Sequence, residues 1–112
     1  MSSGDKYIDN FGKHGENIEF DVAGAGEEVI VYVDGTGTEN TNTKYLNKGE
    51  QGLGFVLRPS ATVKIVSIGD RTFRDPITVS TAGWAQTTHI PPFSQITIRT
   101  TTTNTHIQLF VM

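Results

Sequence analysis

His14, His89 and His106 are the side chains of this 112-residue chain best suited to acid–base or metal chemistry. Their spacing supports neither. No two of them stand at i, i+2 or i, i+4, and no carboxylate recurs beside them at a ligand-like interval, so a zinc site has no framework. His89 lies next to Pro91-Pro92 and reads as a loop residue, while His106 opens the last alternating segment on its polar side and reads as solvated. No serine occupies a G-x-S-x-G elbow. Cysteine is absent, which removes a thiol nucleophile, a thiolate metal site and a disulfide framework together. Two glycine clusters, Gly24-Ala25-Gly26 and Gly35-Thr36-Gly37, invite a phosphate-loop reading. Neither leads into a helical pattern or carries the lysine and hydroxyl residue a P-loop needs, so both read as turns.

Oxygen ligands are densest in the loop holding Asp34, Glu39, Asn40 and Asn42. Calcium takes six to eight oxygens, but this spacing matches no EF-hand, and such loops commonly form Asx turns. Carbohydrate recognition would require exposed aromatic rings, and Trp84, Tyr7, Tyr32 and Tyr45 are the candidates. A chain of this size has little room for a substrate cleft. No enzyme, cofactor or metal is expected.

These residues must be positioned by strands. No window shows helical i, i+3, i+4, i+7 apolar spacing, whereas alternation and short apolar runs recur throughout. Asn17–Val22 alternates with Ile18, Phe20 and Val22 inward. Glu28–Val33 is apolar on both faces, with Val29, Val31 and Val33 toward the core and Ile30 and Tyr32 away from it. Thr43–Leu46 reads as a short edge strand, and Gly52–Arg58 places Leu53, Phe55 and Leu57 on one face before Pro59 stops it. Thr62–Ile68 switches apolar parity at Ile65-Val66, which predicts a β-bulge or kink there. Ile77–Val79 and Gly83–Thr88 are weaker strands. Gln95–Thr100 and Thr105–Met112 alternate on either side of Thr101–Asn104, which reads as a hairpin uniting Ile96, Ile98, Ile107 and Leu109. About eight short strands at these intervals predict an all-β fold, a single-domain antiparallel sandwich or jelly roll. The sandwich spans residues 16–112, and residues 1–15 read as an extended arm with Tyr7, Ile8 and Phe11 as anchors.

Composition narrows the class. Apolar residues make up 36% of the chain and the net charge is −3. Lys64, Arg71 and Arg74, the nearest thing to a basic cluster, are interrupted by Asp70 and Asp75, so no face suits nucleic acid. Residues 1–10 are polar rather than basic-then-apolar, and the longest apolar run, Val29–Val33, is far shorter than a membrane span. Neither a secretory leader nor membrane insertion is expected.

The second half of the chain carries a resemblance. Arg58–Gly69 (RPSATVKIVSIG), Ile90–Thr100 (IPPFSQITIRT) and the closing Thr105–Met112 (THIQLFVM) resemble the small β-sandwich virion proteins of tailed bacteriophages, which include capsid decoration (cement) and fibre or tail accessory proteins. The resemblance implies a non-enzymatic structural protein made in the host cytoplasm and incorporated in the virion. Its partners would be other virion subunits, such as a major capsid protein, and further copies of itself. A receptor- or carbohydrate-binding module is the alternative. Because two segments are apolar on both faces, the expected interface residues are Ile30, Tyr32, Phe110 and Met112, with Tyr7 and Phe11 from the arm.

Overall fold

The computed structural model describes residues 16–46, 49–86 and 92–112, and none of these is helical. Nine strands are present among them: β1 (Glu16–Val22), β2 (Glu28–Tyr32), β3 (Thr43–Tyr45), β4 (Phe55–Pro59), β5 (Val63–Ile68), β6 (Arg71–Val79), β7 (Trp84–Gln86), β8 (Gln95–Thr100) and β9 (Thr105–Val111). They form two sheets, one ordered β1-β9-β4-β7 and the other β3-β2-β8-β5-β6. Every pairing is antiparallel except β2 with β3, which run parallel. The expected arm over residues 1–15 lies outside the described residues.

The two sheets face each other across one apolar core. From the first sheet Phe20, Val22, Phe55, Leu57, Ile107, Leu109 and Val111 point inward; from the second come Val29, Val31, Val63, Ile65, Val79, Ile96 and Ile98. These are the alternate residues that a period of two assigns to one face of a pleated strand. Phe93 closes one end, set edge-on to Phe55 with ring centres 5.7 Å apart. Leu53 departs from its expected place: it is 58% exposed, because β4 begins only at Phe55 and residues 53–54 lie outside the regular ladder.

Pairing corrects the expectation for the end of the chain. β8 and β9 are consecutive, yet they belong to different sheets and do not pair. Thr101–Asn104 is therefore an arch from one sheet to the other rather than a hairpin loop. Asn104 takes a left-handed φ of 54° there, and its N–H donates to Ala23 O at 3.0 Å. Ile96, Ile98, Ile107 and Leu109 still share the core, meeting across the interior instead of side by side.

The pairings nest. β5 pairs with β6, β4 with β7, β2 with β8 and β1 with β9, so the chain is one long antiparallel ribbon doubled back at Gly69-Asp70. The ribbon is folded over so that β9 also meets β4 and β8 also meets β5.

The parity switch in β5 has its predicted cause. Ile65 pairs with Ile98 and Ser67 with the next residue along β8, Thr97, so Val66 is one residue extra. Ile68 then lies opposite the core residue Ile96 and packs against the core. On the other side, Ile65 pairs with Ile77 but Ser67 with Thr72, leaving Phe73–Pro76 without ladder partners. That gap lets Pro76, which has no N–H to donate, sit inside a strand longer than the expected Ile77–Val79.

Candidate functional site

His106 is not simply solvated. The register sets it directly opposite Asp21 and diagonal to Glu19, all on the outer face of the first sheet. Its Nδ1 lies 2.8 Å from Asp21 Oδ1 and its Nε2 lies 3.0 Å from Glu19 Oε1. Only the doubly protonated ring can donate to both carboxylates. The hydrogen bond with Asp21, then that with Glu19, raises the His106 pKa above its ordinary value of 6.5. The same ring, helped by Gln108, lowers Glu19.

Both ring nitrogens are thus engaged. The nearest hydroxyl with a contact to this residue, Ser60 Oγ, accepts from the His106 backbone N–H at 2.8 Å rather than from the ring. Asp21 and Glu19 sit on opposite ring nitrogens, so one metal ion cannot bind all three side chains. Among the described residues no group of three His, Cys, Asp or Glu is placed to hold a metal. The arrangement fastens the edge strand β1 to β9. His14 and His89 lie outside the described residues.

In the oxygen-rich loop, Asn40 and Glu39 each spend a side-chain oxygen on a backbone N–H. Asn40 Oδ1 accepts the Asn42 N–H at 2.8 Å, which is an Asx turn. The Asn42 side-chain amide donates to Glu28 O at 2.9 Å, and Glu39 Oε2 accepts the Tyr45 N–H at 3.2 Å. Ile30 N–H also donates to Asn42 O, so the loop is stitched along β2 and β3. Gly37 lies so close to the Tyr45 ring that a Cβ there would stand 2.5 Å from Cζ. Any other residue there would have to push the end of the Tyr45 ring aside.

The remaining candidates lie on the two outer faces. On the second sheet Ile30 and Tyr32 point away from the core and are half-buried. Tyr32 stacks on Tyr45, with ring centres 5.3 Å apart and planes 17° from parallel. Beside them Glu28 Oε2 accepts two hydrogen bonds from the Arg99 guanidinium, at 2.8 and 3.1 Å. On the first sheet Phe110 lies between Asn17 and Val56 in the ladder, and Phe110, Val56 and Met112 are half-buried. Trp84, one of the four aromatic candidates for sugar contact, packs against the core with its ring 5.4 Å from Phe55. Tyr7 and Phe11 lie outside the described residues.

Ile30, Tyr32, Phe110 and Met112 therefore do not form one site; the sandwich separates them onto opposite faces. Sequence reasoning missed the Asp21–His106–Glu19 cluster. Its one signal was two acidic residues alternating in β1 and a histidine alternating in β9, at opposite ends of the chain. Comparison with protein-family models, with curated proteins and with solved structures gives no match.

Proposed function

We propose that this chain is a non-enzymatic structural subunit of a virus particle, a capsid decoration or head/tail accessory protein of a tailed bacteriophage, acting through protein–protein contacts. The observation that carries the reading is the nested ribbon. Strands ordered β1-β9-β4-β7 against β2-β8-β5-β6 suit a jelly roll, with β3 as an addition at one edge. Jelly rolls are used by viral capsid domains and by lectin domains. The half-buried apolar residues on both outer faces, Ile30 and Tyr32 on one and Val56, Phe110 and Met112 on the other, support the reading, because apolar side chains on an outer face suit contact with other subunits.

The test is co-migration. When particles from the source are banded on a density gradient, this chain should travel with them at a fixed ratio to their major capsid protein, read by mass spectrometry. Recovery only at the top of the gradient, as a free monomer, overturns the proposal.

One observation favours a second reading. Tyr32 and Tyr45 place two half-buried, mutually stacked rings on an outer face, where an aromatic side chain could meet a sugar, and lectins share the architecture. Glycan-array binding that disappears in Tyr32→Ala, with the melting curve unchanged, would favour carbohydrate recognition over the structural role.

A further inference from the structure

We propose that the outer face of the second sheet pairs with the same face of a second copy, about a two-fold axis running along β8. This dimer is independent of the virion reading. Three observations carry it.

The first is a cation without an anion. On this face the register sets Glu28 opposite Arg99, and Arg99 opposite Lys64, so β2, β8 and β5 share one charged row. Glu28 accepts from the Arg99 guanidinium through Oε2 alone, which leaves Oε1 for another donor. Among the described residues no carboxylate pairs with Lys64. Like charges directly opposite in a ladder are destabilising. The row therefore lacks a negative charge at β5 and offers one at β2.

The second is symmetry. β8 is the middle strand of the sheet, with β2 on one side and β5 on the other. A half-turn about an axis along β8 lays β2 of one copy over β5 of the other, as an isologous contact requires. Glu28 then faces the partner's Lys64, and the contact is made twice. An axis running across the strands does not achieve this. It sends the charged row onto the row of Tyr45, Tyr32 and Gln95 at the other end of the face.

The third is that the rest of the face is uncharged. Ile30, Thr97 and Ser67 form the middle row, and none of them or of the three in the tyrosine row is exposed. Such rows leave water at lower cost than Glu19, Asp21, His106 and Arg58 on the first sheet. Under the same axis Tyr32 meets the partner's Gly69, whose N–H donates to Gln95 O and which adds no side chain to the row. The ring thus has a gap to enter. Five strands about 4.8 Å apart and six residues of β8 at about 3.4 Å each give a footprint on the order of 500 Å² per copy. A standard interface buries roughly 800 Å² per partner, so this dimer is a dissociable one.

Charge reversal tests the face and the axis together. Full-length wild type, Lys64→Glu, Glu28→Lys and an equimolar mixture of the two variants are followed by sedimentation velocity in a concentration series reaching about 1 mM. Wild type should dimerise reversibly. Each single variant sets like charges against each other twice per dimer and should associate roughly tenfold or more weakly. In the mixture, position 28 of one variant meets the opposite charge at position 64 of the other, so association should return to within about threefold of wild type. Arg58→Glu, on the other sheet, should leave association unchanged. Melting curves of dilute samples confirm that each variant is folded. The proposal is overturned if wild type stays monomeric throughout, if Lys64→Glu dimerises as well as wild type, or if the folded variants associate no better together than apart.

Discussion

A methyl group at Gly52 would stand 2.8 Å from both Phe93 Cζ and Val111 Cγ1. Those side chains are nearly or fully buried, so neither can swing away without disturbing the end of the core. Overpacking of this kind typically costs about 1–3 kcal/mol. Gly52→Ala should lower the urea midpoint with little change in slope, and an unchanged midpoint would mean Phe93 has room to move. His106 makes a different prediction at the same scale. Because its pKa is raised on folding, its contribution is complete below the ordinary value of 6.5 and disappears as pH rises through the higher folded value. Glu19 is lowered, so its share is present above 4.5 and is lost as pH falls through its folded value. The two together stabilise most between those limits. His106 is 44% exposed and its partners more so, so the total stays under about 1 kcal/mol. Melting temperature should fall modestly from pH 5.5 to pH 8, and His106→Gln should flatten most of that slope. A slope that persists in the variant assigns the effect to other groups.

For single strands, β8 offers the clearest contrast. Ile98 is fully buried between Val29 and Ile65, while Arg99 beside it reaches solvent and pairs with Glu28. Ile98→Ala should cost about 2–5 kcal/mol, and Arg99→Ala less than about 1 kcal/mol. Denaturant melts of the two variants decide this, and equal effects would contradict the inward and outward assignment. Thr97 is not the harmless outer position its alternation suggests, because it is only 7% exposed. The bulge in β5 predicts an asymmetry between two deletions. Removing Val66 leaves Ile65 opposite Ile98 and Ile68 opposite Ile96, so the inner set survives. Removing Lys64 shifts Val63 by one position and turns it out of the core, since a one-residue slip reverses side-chain direction. The Val66 deletion should therefore melt higher than the Lys64 deletion. The reverse order would place the extra residue elsewhere.

Across the whole molecule, nesting makes the first and last strands interdependent. β9 lies between β1 and β4 and is the only described partner of β1. A chain ending at Asn104 should thus lose cooperative unfolding altogether, as seen by calorimetry, instead of keeping a trimmed sandwich. Ladder partners such as Ile18 and Leu109 are separated by most of the sequence. Folding dominated by such distant pairings is slow, on the order of milliseconds to seconds. Stopped-flow dilution from denaturant should give refolding in that range, and microsecond refolding would be inconsistent with this topology.

Face assignment was legible in the residues because it is local. Strand side chains alternate with period two, so Ile18, Phe20 and Val22, or Val29, Val31 and Val33, declare their inner side without reference to any partner. The extra residue at Val66 was legible for the same reason, as a break in that alternation. Partner choice was not. Gln95–Thr100, a four-residue link and Thr105–Met112 carry every local mark of a hairpin, yet each strand joins a different sheet. The Asp21–His106–Glu19 cluster was hidden likewise: each residue looks like an ordinary outward position until the register sets β1 beside β9. Alternation specifies which side of a strand is apolar, whereas backbone hydrogen bonds can be satisfied by any neighbouring strand. The neighbour was selected only when the whole ribbon folded over to bury both inner faces at once.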